Sequence, residues 1–187
     1  MPIENPFYAP STLPYGLPPF ADITDDHYRP AFDHGFEEQL AEISSITRCD
    51  DLPTFDNTMI PLEKSGQTLE RVATVFYNKS SADSTDFTNA LEEEIAPLLA
   101  AHSDAIKLDA RLYSRIKTIH DQLAEFELDA ESRYLVERYY AEFTLAGAGL
   151  DEGEKAKLRE FNQKLSTLTT RFEKNLLADT NELAVVI

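Results

Sequence analysis

The chain has 187 residues, a formal net charge of −17 and a hydrophobic fraction of 42%, which suit a folded domain with one sizeable core and exclude a disordered tail. The negative charge repels nucleic-acid phosphates and anionic membrane surfaces, which excludes both as expected partners and favours basic or neutral peptides. The alternative is that the acidic surface mainly confers solubility.

Residues 1–24 are predicted to form an extended arm. Five prolines between Pro6 and Pro19 fix the backbone and remove amide donors, so neither a regular helix nor a central strand fits. Apolar side chains are interleaved with these prolines, namely Phe7, Tyr8, Leu13, Tyr15, Leu17, Phe20 and Ile23. We expect the arm to lie across a surface and bury its aromatic rings. The alternative is a proline-rich leader that packs by chance.

Residues 25–180 are predicted to form a single all-α domain, an array of about six amphipathic helices. In the first helix, apolar residues recur at three- and four-residue spacing from Tyr28 to Ile46, with Pro30 near the first turn. The acidic residues Asp22, Asp25 and Asp26 favour its N-terminus through the helix dipole.

The second and third helices each contain a proline. Thr54 is the predicted N-cap of the second helix, which we expect to be continuous as far as Phe76 and bent at Pro61. The third helix is expected from about Ser84, with a late kink at Pro97.

The last three helices are marked by their ends. Asp109 precedes the fourth helix, and Leu128-Asp129 precedes the fifth. Gly147 and Gly149 are expected to end the fifth helix in left-handed backbone geometry. Asp151 and Glu154 form a predicted capping pair for the sixth and longest helix, which is roughly 40 Å long if continuous to about Leu177.

The sixth helix has a near-heptad apolar pattern, which indicates a seam for partner helices; its residues are Leu158, Phe161, Leu165, Leu168, Phe172 and Leu176. Residues 181–187 are apolar and β-branched towards the end, and we expect them to be the start of a truncated strand. This pattern favours an N-terminal fragment of a longer protein.

Several short segments, in their order and spacing, resemble the thimet oligopeptidase family of zinc metallopeptidases. They are Asn5-Pro6-Phe7, Ser11-Thr12-Leu13-Pro14-Tyr15, Pro18-Pro19-Phe20, His27-Tyr28-Arg29-Pro30-Ala31-Phe32, Leu52-Pro53-Thr54-Phe55-Asp56-Asn57-Thr58 with Leu62-Glu63, and Phe143 with Leu145-Ala146-Gly147-Ala148 and Leu150. The second and third segments favour the peptidyl-dipeptidase (dipeptidyl carboxypeptidase) branch over the endo-acting oligopeptidases.

This resemblance implies that the chain is the N-terminal part of a longer zinc-dependent enzyme that releases C-terminal dipeptides from short unstructured peptides. The whole enzyme would be mainly helical and two-lobed, with a narrow channel that this part walls and roofs. Zinc would be held by histidines and a glutamate in the C-terminal part. The implied partners are the oligopeptide substrate and that missing C-terminal part.

We predict no catalytic, cofactor-binding or metal-binding residue in this chain, no zinc within it, and no activity of the chain alone. Zinc hydrolysis commonly uses His-Glu-x-x-His on one helix, whereas His27, His34, His102 and His120 are scattered. His34 and Glu37 share a helix face, but two ligands without a third make a weak metal site.

Other reactive residues also have ordinary explanations. Cys49 is the single cysteine, which excludes an internal disulfide, and no base for it is identifiable. The acidic run Glu92–Glu94 is typical of a solvated helix face. Because the sequence has neither a signal peptide nor a run of about eighteen apolar residues, we expect a cytoplasmic location.

Two other functions stay open. One is a non-enzymatic acidic helical protein-interaction module, which docks a partner through the long sixth helix or the aromatic arm. The other, which we rank last, is a metal-carboxylate helix bundle; the sequence has no Glu-x-x-His motif to support it.

Overall fold

A computed structural model describes residues 5–183, and every regular element in that range is helical. The α-helices are α1 (Asp25–Thr47), α2 (Ile60–Glu63), α3 (Gln67–Ala82), α4 (Asp86–Lys107), α5 (Ala110–Asp121), α6 (Ala130–Leu145) and α7 (Glu152–Glu182). Short 3₁₀ turns span Pro14–Gly16 and Leu123–Glu125, and a π-helical turn spans Phe55–Met59. The all-α prediction is confirmed.

Side-chain caps begin most of the helices. Asp109 accepts a hydrogen bond from the Leu112 amide at 2.7 Å, and Asp151 accepts one from the Glu154 amide at 2.8 Å, as expected from the sequence. α4 begins after Thr85, two residues later than predicted, and continues through Pro97 to Lys107. α1 begins at Asp25, so Pro30 lies in its second turn, near the first turn as predicted.

The predicted second helix is wrong as a continuous element. Thr54 does cap its start, because its hydroxyl accepts from the Asn57 amide at 3.1 Å, but a π turn follows. Pro61 occupies the first turn of α2, where its missing amide costs nothing, and so does not bend a longer helix. The break comes at Gly66, which has a left-handed φ of 78° and donates its amide to Glu42 at 2.8 Å.

Two apolar clusters form the core. The first joins the arm, α1, α3 and α4 through Phe7, Tyr28, Ala31, Phe32, Leu69, Val72, Val75, Phe76, Leu91 and Ile95. The second joins α1, the 55–63 segment, α5 and α6 through Ile43, Ile46, Met59, Leu62, Leu112, Ile116, Ile119, Leu123, Val136, Phe143 and Ala148. Because α1 supplies residues to both clusters, it is their shared element.

The arm is docked by the Asn5-Pro6-Phe7 segment. Nδ2 of Asn5 donates to the carbonyl of His27 at 2.8 Å, and its Oδ1 accepts from the Phe7 amide at 3.1 Å. These bonds hold the Phe7 ring, which is 1% exposed, against Tyr28 with the centroids 5.4 Å apart. The expectation that the arm buries aromatic rings is confirmed at Phe7.

The same expectation is wrong for the middle of the arm. Tyr15 is fully exposed, and most of the other apolar side chains between Tyr8 and Phe20 are exposed as well. Tyr15 also has a left-handed φ of 61° within the Pro14–Gly16 turn. The arm therefore has one buried anchor and an exposed loop.

The junction after α6 is a Schellman motif. Gly147 has a left-handed φ of 94°, the Ala148 amide donates to the carbonyl of Phe143, and the Gly147 amide donates to that of Thr144. Phe143 and Ala148 both lie in the second apolar cluster. Gly149 does not have a positive φ, so the predicted left-handed role belongs to Gly147 alone.

α7 lies along α4 and turns its polar side inwards. The side chains that are buried or half-buried repeat every three or four residues and are Lys155, Leu158, Asn162, Ser166, Thr170 and Lys174. α7 continues to Glu182, so residues 181 and 182 are helical and not the start of a strand. Residues 184–187, the rest of that predicted strand, lie outside the described residues.

Candidate functional site

A cleft of about 350 Å³ opens where the two apolar clusters meet. α1, α2, α4 and α6 each contribute side chains, and those used below are Gln39, Glu63, His102, Tyr139, Glu142 and Phe143. Leu62 and Phe143 at its base belong to the second cluster. The cleft therefore has an apolar floor and a polar rim.

Tyr139 joins two walls of this cleft. Its hydroxyl donates to Oε2 of Glu63 at 2.5 Å, across 76 residues of sequence. Burial raises the pKa of Tyr139 well above its ordinary value, and the carboxylates of Glu63 and Glu142 add to that shift. The phenol therefore stays protonated and fixes the exposed Glu63 carboxylate on the rim.

His102 forms the opposite wall. Its Nε2 lies 2.7 Å from Oε1 of Gln39, and its ring packs on Phe36 with the centroids 4.9 Å apart. Burial lowers the pKa of His102 below the ordinary 6.5. The imidazole is therefore neutral at neutral pH and links α4 to α1.

These groups suit binding more than bond cleavage. An apolar floor accepts an aliphatic or aromatic side chain, and rim carboxylates attract a cation or accept hydrogen bonds from amides. Glu142 is already paired with Arg138, whose Nε lies 2.6 Å from Oε1. No pair of described side chains in the cleft has the nucleophile-and-base geometry that acyl transfer requires.

The histidines do not converge. His27 accepts at Nδ1 from the Thr24 amide at 3.0 Å in the α1 cap, and His34 packs against Tyr8 of the arm. His102 lines the cleft, and His120 stacks on Tyr140 with the centroids 3.8 Å apart. Within residues 5–183 no three His, Cys, Asp or Glu side chains are grouped closely enough to hold a metal ion. The donor set of a zinc site therefore does not fit these residues.

The run Glu92–Glu94 does more than the solvated face that the sequence predicts. Glu92 accepts from the Ser80 hydroxyl of α3 at 2.8 Å, and Glu94 accepts from Nε of Arg29 of α1 at 2.5 Å. Glu93 accepts from Nζ of Lys174 of α7 at 2.9 Å. Three successive carboxylates of α4 thus contact three different helices, which a one-helix pattern cannot indicate.

Sequence reasoning also missed Arg115, which is buried among neutral acceptors. Its guanidinium donates to Oγ1 of Thr58 at 3.1 Å, to Oδ1 of Asn57 at 2.9 Å, and to the carbonyls of Cys49 at 2.8 Å and Asp51 at 3.2 Å. Asn57 and Thr58 belong to one of the segments that carry the family resemblance. Their role in this chain is to fix the 49–58 loop against α5.

Cys49 and the aspartates near the start of α1 have structural roles. Cys49 is half-buried, and its contribution to the Arg115 network is its backbone carbonyl. Asp25 and Asp26 lie in the first turn of α1, as the dipole argument predicts, whereas Asp22 precedes the helix. The structure therefore brings none of these side chains into the cleft.

Comparisons with known proteins identify relatives over nearly the whole chain. The dipeptidyl carboxypeptidase of Escherichia coli strain K12 is 39% identical over 98% of this chain, and that of Salmonella typhimurium is 40% identical over 93%. Oligopeptidase A of Haemophilus influenzae is 26% identical over 87%. No family model matches the chain. The resemblance to dipeptidyl carboxypeptidases is confirmed.

The match covers only part of each relative. The chain spans 27% of the Escherichia coli dipeptidyl carboxypeptidase, 26% of the Salmonella protein and 24% of oligopeptidase A. The similarity thus extends over about a quarter of the length of each relative. None of the helices among residues 5–183 combines the length and the apolar character needed to cross a membrane.

Proposed function

We propose that the chain is the N-terminal helical part of a cytoplasmic zinc metallopeptidase that releases C-terminal dipeptides from short unstructured peptides. The observation that carries the proposal is the 39–40% identity to dipeptidyl carboxypeptidases over 93–98% of this chain. The family segments support it, because Phe7, Asn57, Thr58 and Gly147 hold the arm, a loop and a helix end in place.

In this proposal the two parts of the enzyme divide the work. The remaining three quarters of the polypeptide contain the side chains that bind zinc and the groups that act on the scissile bond. Residues 25–180 form wall and roof of a channel, which excludes folded proteins and admits an extended oligopeptide. The cleft between Glu63, His102 and Tyr139 is the part of that wall best suited to hold a peptide side chain.

The test is peptidase activity with and without a chelator. The long protein is the polypeptide extended to the length of the relatives. We expect it to release dipeptides from an N-terminally blocked peptide with a free C terminus, and we expect a chelator to abolish this release. The 187-residue chain alone is expected to be inactive at the same molar concentration. Dipeptide release by the purified short chain, or an inactive long protein, contradicts the proposal.

A second function, a protein-interaction module without enzyme activity, is favoured by one observation. The apolar residues of α7 are at least half exposed from Phe161 to Leu177. The two functions are distinguished by the reading frame beyond residue 187, where a peptidase requires a metal-binding motif such as His-Glu-x-x-His. Its absence, together with a stable complex formed by the short chain, favours the module.

A further inference from the structure

The long helix α7 is amphipathic in the opposite sense from a normal surface helix. Five apolar side chains point away from the rest of the chain and are 52–70% exposed, namely Phe161, Leu165, Leu168, Phe172 and Leu176. We call this set the α7 stripe. A surface helix ordinarily turns its apolar side to the core, so an apolar outer side marks an interaction surface.

Polar contacts hold α7 in this orientation. Nδ2 of Asn162 donates to Oδ1 of Asp104 at 2.7 Å, and Lys174 donates to the carbonyl of Asn89 and to Glu93 on the same side. Both lysine and asparagine heads lie against α4, opposite the stripe. Rotation of α7 to bury the stripe on α4 would break these bonds, so the stripe needs a different occupant.

The spacing of the stripe suits a helix. Phe161, Leu165, Leu168 and Phe172 alternate between four- and three-residue steps, the pattern that packs against a neighbouring helix at about 20°. The stretch from 161 to 176 is roughly 22 Å long at 1.5 Å per residue. That length accommodates about four turns of a docked helix.

Charge disfavours a second copy of the chain as this occupant. Each copy has a net charge of −17, which repels another copy. α7 itself is balanced, since it contains six basic residues and six acidic ones. Lys155 and Lys174 face inwards, however, so the exposed surface of α7 has four basic and six acidic residues. This mildly acidic surface suits a neutral or basic occupant better than a second acidic copy.

The relatives indicate what this occupant is. The chain spans only about a quarter of each dipeptidyl carboxypeptidase, so about three quarters of such a polypeptide is available to cover the stripe. We propose that the α7 stripe is the surface on which the remaining polypeptide of the peptidase docks, helix against helix. The inference rests on the proposed function in one respect, namely that the chain is part of a longer peptidase. It adds which helix and which side chains join the two parts.

The experiment compares the long protein with the 187-residue chain. Hydrogen exchange of peptides from α7 needs no mutation, and we expect exchange at least about tenfold slower in the long protein, as burial of a helix face predicts. The double variant Leu165→Gln/Phe172→Gln is expected to lower Tm of the long protein by at least about 3 °C and to change Tm of the short chain by under about 1 °C.

Lys164→Gln is the matched control, because it lies on the same helix and removes no apolar surface. The helix propensity of Gln is similar to that of Leu and better than that of Phe, so a lower Tm of the double variant reports lost burial and not a weaker helix. If the double variant of the long protein does not fold while the double variant of the 187-residue chain does, the proposal is also supported. Equal exchange of α7 in both proteins, or equal Tm shifts, overturns it.

Two further outcomes separate this inference from others. If the short chain is a dimer by light scattering and the double variant is a monomer, the occupant is a second copy and the proposal is overturned. Dipeptide release is measured on the same long protein. Slow exchange in α7 without activity rejects the proposed reaction and supports the docking surface, whereas activity with fast exchange rejects the docking surface alone.

Discussion

Nε of Arg71 on α3 donates a hydrogen bond of 2.9 Å to the backbone carbonyl of Phe7, a residue 64 positions earlier in the chain. The bond positions the arm so that the Phe7 ring enters the first apolar cluster beside Tyr28. The arm is thus attached by one side chain and a few hydrogen bonds, which makes its docking testable by single substitutions.

Phe7→Ala is expected to destabilise the chain by about 3 kcal/mol, because it removes a fully buried ring and leaves a cavity beside Tyr28. We expect cleavage within residues 8–20 to become faster in limited proteolysis, together with a lower urea midpoint. Tyr15→Ala is the control, since the Tyr15 ring is fully exposed and its loss leaves the midpoint unchanged. Equal effects of both substitutions would contradict the anchoring role of Phe7.

Arg115→Ala is expected to cost about 2–4 kcal/mol in the free energy of unfolding. It leaves the hydroxyl of Thr58 and two loop carbonyls without their charged donor in a buried place. Arg115→Lys should recover only part of this loss, because an ammonium cannot reproduce the planar fork. Urea unfolding measures both variants, with Arg111→Ala on the exposed side of α5 as the control. A loss below about 0.5 kcal/mol for Arg115→Ala would refute the argument.

Gly35→Ala tests the close approach of α1 and α3. A methyl group at Gly35 would lie 2.9 Å from the Cα and amide nitrogen of Leu69, and backbone atoms cannot rotate away as a side chain can. We expect a loss of about 1–3 kcal/mol, measured by thermal unfolding. Gly149→Ala is the control, because its nearest contact would be an ordinary 3.7 Å to Tyr113. If the two variants have the same Tm, the helices are less tightly fixed than described.

The pH dependence of stability should contain a contribution from His102. Burial lowers its pKa in the folded chain below 6.5, so the unfolded chain binds more protons as the pH falls. The contribution is complete above pH 6.5 and is lost as the pH falls through the folded-state pKa. The stability of His102→Gln relative to the original chain should therefore improve between pH 7 and pH 5, as urea midpoints can measure. A constant difference over this range would contradict the assignment.

Sequence alone predicts the helices well where local signals decide them. Asp109 and Asp151 mark helix starts, and Gly147 marks an end, because caps depend on residues within one turn. The same logic failed in the second helix, where the Ser65-Gly66 pair was a usable signal for a break. What fixes Gly66 there is a long-range hydrogen bond to Glu42 of α1, which no local pattern contains.

The candidate site was less predictable than the helices. The apolar periodicity of α7 identifies its stripe except at Leu158, which is half-buried near Gly147. The periodicity cannot indicate whether the described chain covers that stripe. Likewise, Glu63 and Tyr139 are 76 residues apart, and their contact depends on how α2 and α6 pack. Arg115 could have been suspected from its place between Leu112 and Ile116, since a charged residue in an apolar face needs buried acceptors.

The two apolar clusters also differ in when their residues are synthesised. The buried members of the first lie between Phe7 and Ile95, whereas the second needs residues from Ile43 to Ala148. At an elongation rate of about 5–20 residues per second, a ribosome takes several seconds to add the segment that completes the second cluster. The arm and α3 can therefore close on the first half of α1 while its second half still waits for α5 and α6. The order of translation thus favours assembly from one end of α1 to the other.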